Sequence, residues 1–96
     1  MNKEQSKKEL MKIPGVGKSI ADDLLNIDIV QIEDLKGKDP QILYEHSNRV
    51  AGATQDRCLL YVFRCAVYFA ETEGEKRDPE KLKWWNWKDK KVRSSY

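Results

Sequence analysis

Ile13-Pro14-Gly15-Val16-Gly17-Lys18-Ser19 is the stretch that decides how this 96-residue chain folds. Two glycines flank Val16, between a charged segment (Lys3–Lys12) and one with helical spacing (Ser19–Asn26). Glycine lets the backbone turn at positive φ, and with no side chain it lets another backbone come close. Pro14 presets φ at the start of the turn and removes a donor there. The helix that follows points unpaired N–H groups back into the turn, and its dipole makes that end positive. The result is a cradle suited to a phosphate.

Gly17-Lys18-Ser19 matches the end of an ATP-binding loop, but the first glycine of such a loop would fall at Lys12. The segment before it is charged rather than a buried strand, so that reading fails. The order hydrophobic–x–Gly–hydrophobic–Gly, filled by Ile13, Pro14, Gly15, Val16 and Gly17, resembles the hairpin of the helix-hairpin-helix motif. The alternative is a tight helix–helix turn in a small bundle. The resemblance implies that the amides of Gly15, Gly17, Ser19 and Ile20 hold one phosphate of a DNA backbone without reading bases. Val16 belongs to the same candidate site, and Lys12 and Lys18 would add charge. It also implies a monovalent cation, K+ or Na+, on the carbonyls of Met11, Ile13 and Val16.

Outward from this turn the pattern is helical throughout. Lys3–Lys12 reads as a short polar helix whose apolar end (Leu10, Met11, Ile13) enters the core. Ile20, Leu24, Leu25 and Ile27 form one apolar face, and Ile29, Ile32 and Leu35 mark a connecting helix stopped by Gly37. Asp39-Pro40 supplies an N-cap and first turn for a helix through about Asn48. Val50-Ala51-Gly52-Ala53-Thr54 then repeats the hairpin with Thr54 in place of the second glycine. Threonine caps helices but lacks glycine's backbone freedom. This second turn is either a degenerate hairpin, with Gly52, Thr54, Gln55 and Arg57 beside a phosphate, or a structural turn balancing the first.

The longest helix is expected from about Thr54 to Glu73. Between Cys58 and Ala70 only Arg64 is neither apolar nor aromatic, so this helix is buried on most sides, by its own bundle or by a second subunit. Arg64 needs a partner or an exit to solvent. Asp78-Pro79 opens a last short helix leading to Trp84, Trp85 and Trp87, which are expected to fold back onto the long helix rather than stack on bases. Lys88, Lys90, Lys91 and Arg93 form a basic tail.

The length suits one core rather than a multi-domain enzyme. No apolar run spans a bilayer and the N-terminus lacks a signal-peptide core, so the expected location is the cytoplasm. Cys58 and Cys65, seven residues apart on one helix, lie roughly 10 Å from each other, too far for a disulfide. Both read as buried structural thiols, and with His46 as the single histidine a zinc site is not expected. The net charge of +2 is uneven: residues 1–20 sum to +3, 21–75 to −6 and 76–96 to +5. Both ends suit a polyanion, while the middle repels one.

Beyond the motif, several segments are similar to the small bacterial "pathogenicity locus" family. They are Ile13–Gly17, Asp34-Leu35-Lys36-Gly37, Gln55-Asp56-Arg57-Cys58, the run Tyr61–Ala70, and Lys83-Trp84-Trp85-Asn86-Trp87. Its members are often labelled mitomycin-resistance or helix-hairpin-helix DNA-binding proteins. The resemblance implies an all-α, SAM-domain-like bundle of five to six helices with a short C-terminal helix packed by tryptophans. Residues 1–75 would form the tandem domain, with hairpins near 13–17 and 50–54, and residues 76–96 a tryptophan-rich extension and basic tail.

An enzyme is not expected. Base-excision glycosylases with a similar hairpin carry a lysine where Ser19 stands, and Lys18 lies one helical position, about 100°, away. Their catalytic aspartate corresponds to about Gly37. Two functions remain. One is a DNA-binding module without sequence preference, used in repair or damage resistance. The other is an interaction or dimerisation module that uses the long apolar helix and the tryptophans.

Overall fold

A computed structural model describes residues 2–88, so Lys90, Lys91 and Arg93 of the expected tail lie outside the described residues. Among the described residues the chain is all-α, with four α-helices and no strand. Helix α1 (Lys3–Leu10) starts on a capping box: the Asn2 side chain accepts from the Gln5 amide at 2.9 Å, and Gln5 accepts from the Asn2 amide at 3.0 Å. That pairing satisfies two orphan donors of the first turn. Helix α2 spans Lys18–Leu25 and buries Ala21 and Leu24. Helix α3 (Pro40–Ala51) is capped by Asp39, whose carboxylate accepts from the Gln41 amide, and it stops on left-handed Gly52.

Helix α4 (Arg57–Glu71) is the pillar. It buries Leu59, Leu60, Val62, Phe63, Cys65, Ala66, Val67 and Ala70 against the rest of this same chain. Helix α3 and the C-terminal tryptophan segment cover it, while α1 packs on α2. Leu10, Ile13, Leu24, Leu35, Leu60 and Phe63 are fully buried, and with Leu43 and Tyr44 of α3 they join the four α-helices into one core.

Where further helices were expected, the chain makes single 3-10 turns. Ile32–Leu35 is one, with the Asp34 carboxylate accepting from the amides of Val30 and Gln31. Having turned on Asp34, the segment is too short to continue as an α-helix. Glu9 of α1 accepts from the Ile32 amide at 2.8 Å and holds this connector in place. Pro79–Leu82 and Trp84–Trp87 are likewise 3-10 turns. Boundaries also move: α1 ends at Leu10 rather than Lys12, α2 starts and ends one residue earlier, and α4 ends at Glu71 rather than Glu73. Helix α3 runs three residues past Asn48 to a left-handed glycine, Gly52, and α4 begins at Arg57 because Asp56 rather than Thr54 caps it.

The C-terminal segment returns along α4 through specific bonds. Arg77 donates to the Phe69 carbonyl (Nη2, 2.9 Å) and to the Thr72 carbonyl (Nε, 2.6 Å), occupying orphan acceptors at the end of α4, and its guanidinium lies 3.6 Å from the centre of the Phe69 ring. Trp87 donates from Nε1 to the Lys81 carbonyl and stands 5.7 Å from the Tyr68 ring. Arg64 finds its partner here, donating from Nη1 to the Trp87 carbonyl at 2.8 Å. Trp84 packs on the core, as expected of these tryptophans, whereas Trp85 is half exposed.

Candidate nucleic-acid interface

The turn Ile13–Gly17 is pinned from below. Ile13 and Val16 are buried, and the Val16 amide donates to the Ile13 carbonyl at 3.0 Å. Gly15 takes φ +89, in the left-handed region. A Cβ built there would sit 3.0 Å from Trp84 Cδ1, so the C-terminal segment rests directly on this glycine. Both the conformation and the contact require glycine at this position.

Gly17 is different. It is the N-cap of α2 with extended backbone (φ −97), and a Cβ there would meet nothing within 4 Å. Neither φ nor packing asks for glycine, yet the position has no side chain, and α2 has no side-chain cap. The amides of Gly15, Gly17, Lys18, Ser19 and Ile20 donate to no backbone carbonyl among the described residues. Lys12, Gly15, Gly17, Lys18 and Ser19 are exposed, and Ile20 is half-buried.

The second turn is closed. Gly52, at φ +72, ends α3, with the Gly52 amide bonded to Arg49 and the Ala53 amide to Asn48. Gln55 is consumed by α3: its amide donates to Asn48 Oδ1 at 2.9 Å, its side chain accepts from Ser47 Oγ at 2.8 Å, and its carbonyl accepts from the Tyr44 hydroxyl. The Asp56 carboxylate occupies the start of α4, accepting from the Cys58 amide at 2.9 Å. That backbone bond holds the Asp56 carboxyl below its usual range, and the Asp56 side chain raises the Cys58 thiol. Thr54 and Arg57 are exposed beside this carboxylate.

Two clefts flank the first turn with opposite electrostatics. One, of about 350 Å³, is lined by Glu4, Lys7, Lys8, Met11 and Lys18. Lys7 is held by Asp22 at 3.0 Å, leaving Lys8 and Lys18 as its exposed cations. The other, of about 420 Å³, lies between the two turns, where Gly15 and Ile20 meet Gln55, Asp56, Cys58 and Leu59, with Asp23, Val62 and Trp84 completing the lining. The chain therefore brings Gly15, Ile20 and Gln55 together and places Lys18 in a separate cleft. Burial, and then Asp22 next to it, raise the Asp23 carboxyl above its ordinary value.

Lys8, Asp23, Asp56 and Trp84 did not emerge from the motif. Lys8 stands four residues before Lys12, a spacing that would put both on one face of the expected helix Lys3–Lys12, although α1 ends at Leu10 and leaves Lys12 in the turn. Thr54, two residues earlier, suits a cap as well as Asp56, the residue that caps α4. The two cysteines also separate: Cys65 is buried as expected, with its thiol pushed up to about 11 by that burial, while Cys58 is exposed on the first turn of α4, facing the cleft rather than the core. Among the described residues no group of three or more His, Cys, Asp or Glu side chains could hold a metal, and no helix is long and apolar enough to cross a membrane. Of the carbonyls named for a monovalent cation, that of Ile13 accepts from Val16, whereas those of Met11 and Val16 accept from no backbone amide among the described residues.

The family model of the pathogenicity locus proteins (Cdd1) matches residues 3–93, and the chain belongs to that family. No curated protein and no solved structure gives a significant match.

Proposed function

We propose that the chain is a DNA-binding module without sequence preference, built as two helix-hairpin-helix units, α1–turn–α2 and α3–turn–α4, in which only the first turn grips phosphate. The observation that carries this reading is Gly17: the fold accepts a side chain there, the chain supplies none, and the amides at the start of α2 are left for an acceptor from outside. An oxyanion there gains several N–H donors and the positive end of the helix. Lys8 and Lys18 stand in the adjoining cleft to meet neighbouring phosphates, and Lys12 adds charge from the turn itself. The hard carbonyl oxygens of Met11, Val16 and the remaining lone pair of Ile13 suit K+ or Na+, which would add positive charge at the same turn.

Nothing at this turn reads base edges, so affinity comes from phosphate neutralisation and falls with salt. The acidic carboxylates between the turns restrict contact to one side of the molecule. In this reading the module performs no chemistry of its own and works beside repair or damage-resistance enzymes.

The test is fluorescence anisotropy of labelled single- and double-stranded DNA at about 50 and 200 mM salt, with wild type beside Gly17→Asp. The variant copies Asp56 into the first turn at a position with room for it. Wild type is expected to bind, more weakly at the higher salt, and the folded variant to bind about tenfold more weakly, since a carboxylate then holds the amides. Absence of wild-type binding at low salt, or equal binding by the variant, overturns the reading.

A further inference from the structure

The cleft between the two turns borders Gly15 and Ile20 of the phosphate turn but carries two carboxylates, and its chemistry fits a different ligand. Its walls are apolar: Ile20, Leu59, Val62 and the indole of Trp84. Asp23 and Asp56 carry its charge, and among its described lining residues there is no cationic side chain. We propose that this cleft binds one arginine or lysine side chain from a basic peptide segment of a partner protein.

Each feature narrows the occupant. Two carboxylates among the described lining residues repel an anion. A wholly apolar ligand would cover those carboxylates without pairing them, which costs more than the apolar contact returns. A bare metal ion would waste the apolar walls and find fewer hard ligands than it needs. A long cationic side chain satisfies all of the lining at once. Its methylene stem lies along Ile20, Leu59 and Val62 while its charged end reaches the carboxylates. Trp84 adds to the lining an indole, the aromatic ring that attracts a cation most strongly. Asp23 gains most, because it is the carboxylate that burial and Asp22 leave poorly stabilised. The cleft is open to solvent along one side, so the residues flanking the inserted side chain can lie across its mouth.

This site shares no charged residue with the phosphate cradle, so the two readings fail separately: a wild type that ignores DNA leaves the following titration unaffected. The ¹⁵N-labelled full chain is titrated with a short blocked peptide carrying a central arginine between leucines, and with its central-glutamate counterpart. Saturable shifts are expected at the Trp84 indole N–H and at the amides of Ile20, Cys58 and Leu59, with a Kd of about a millimolar. Asp23→Asn should weaken binding roughly fivefold, as loss of one partly exposed charge pair does, and Asp56→Asn should weaken it while keeping the cap on α4. The glutamate peptide should give no such shifts.

Absence of saturable shifts overturns the proposal. So does equal binding of the glutamate peptide, or unchanged affinity in both aspartate variants. Lys88 acts on the Cys58 thiol, opposing the larger effect of Asp56, so the chain's own basic end begins near this cleft. A full-length variant with Lys90, Lys91 and Arg93 changed to Gln tests that occupant. If only this variant takes up the arginine peptide, the cleft belongs to the chain's own end and the partner proposal falls.

Discussion

Helices α2 and α4 both begin just after a glycine-bearing turn, and they begin in opposite ways. Asp56 folds its carboxylate back onto the first turn of α4 and completes it from within. Gly17 leaves the first turn of α2 without a side-chain cap. A chain selected only for stability would place Ser, Asp or Asn at both positions, since each improves on glycine by a few tenths of a kcal/mol or more. The second turn has the form of a structural element, with Gln55 stitched to α3 by backbone and side chain alike. The first has an open end that its fold does not require. Two turns of similar sequence thus differ in whether a side chain of the turn takes up a donor of the helix that follows.

The largest effect expected on stability comes from asking what each positive-φ glycine does. Gly15→Ala places a Cβ at φ +89 and 3.0 Å from Trp84 Cδ1. Left-handed strain of about 1–2 kcal/mol then adds to displacement of the indole, for a total loss of about 2–3 kcal/mol in urea unfolding. Gly52→Ala, at φ +72 with open space around the Cβ, should carry the strain alone. Equal losses in the two variants would mean that Trp84 contributes nothing to holding the first turn.

Next in size is the exchange of caps. Gly17→Asp should leave unfolding unchanged or raise its midpoint slightly, while lowering DNA affinity about tenfold, or about 1.4 kcal/mol. A variant that lost stability as well would show that Gly17 has a structural role, which would break the contrast between the turns.

The same contrast predicts a difference in acid. Asp56 has its carboxyl lowered in the folded state by the Cys58 amide. A group lowered on folding stabilises above its unfolded pKa, near 3.9, and loses that contribution as pH falls through the folded value. As pH falls below about 4, thermal midpoints of wild type should therefore drop more steeply than those of Asp56→Asn, which keeps an acceptor without a titrating group. Parallel curves would remove Asp56 as the plug of the second turn.

Most of the architecture was legible because it rests on signals that act locally. Asp39-Pro40 fixed the start of α3, the apolar run around Phe63 marked the central helix, and Gly15 marked a left-handed turn. What escaped was set at a distance or by competition between caps. Thr54 and Asp56 both suit an N-cap, and the choice between them depends on Gln55 being held by Asn48, Ser47 and Tyr44 from another helix. The connector at Ile32 is periodic enough for a helix, but Glu9 and Asp34 take its amides and leave a single 3-10 turn. In the candidate site, Gly15 to Ile20 could be read from the motif. The role of Trp84 could not, because 69 positions separate it from Gly15 and only the return of the C-terminal segment along α4 joins them.

The smallest expected effect concerns helix ends rather than starts. Helix α3 ends on left-handed Gly52, but after α2 the corresponding left-handed residue is Asp28, at φ +67. The Ile29 amide nevertheless reaches the Leu24 carbonyl at 3.0 Å and closes the end of α2. Aspartate tolerates this conformation better than most residues, so the strain at Asp28 lies at the low end, about 1 kcal/mol. Replacing it with glycine removes that strain but adds unfolded-chain entropy of about 0.4–1 kcal/mol. Asp28→Gly should therefore gain no more than about 0.5 kcal/mol, a rise in Tm of roughly 2–4 °C. Asp28 also borders the surface depression that contains Lys36, Lys38 and His46. A fall in Tm instead would mean that its carboxylate contributes more to that polar surface than its backbone strain removes, and that α2 and α3 end differently for an electrostatic reason.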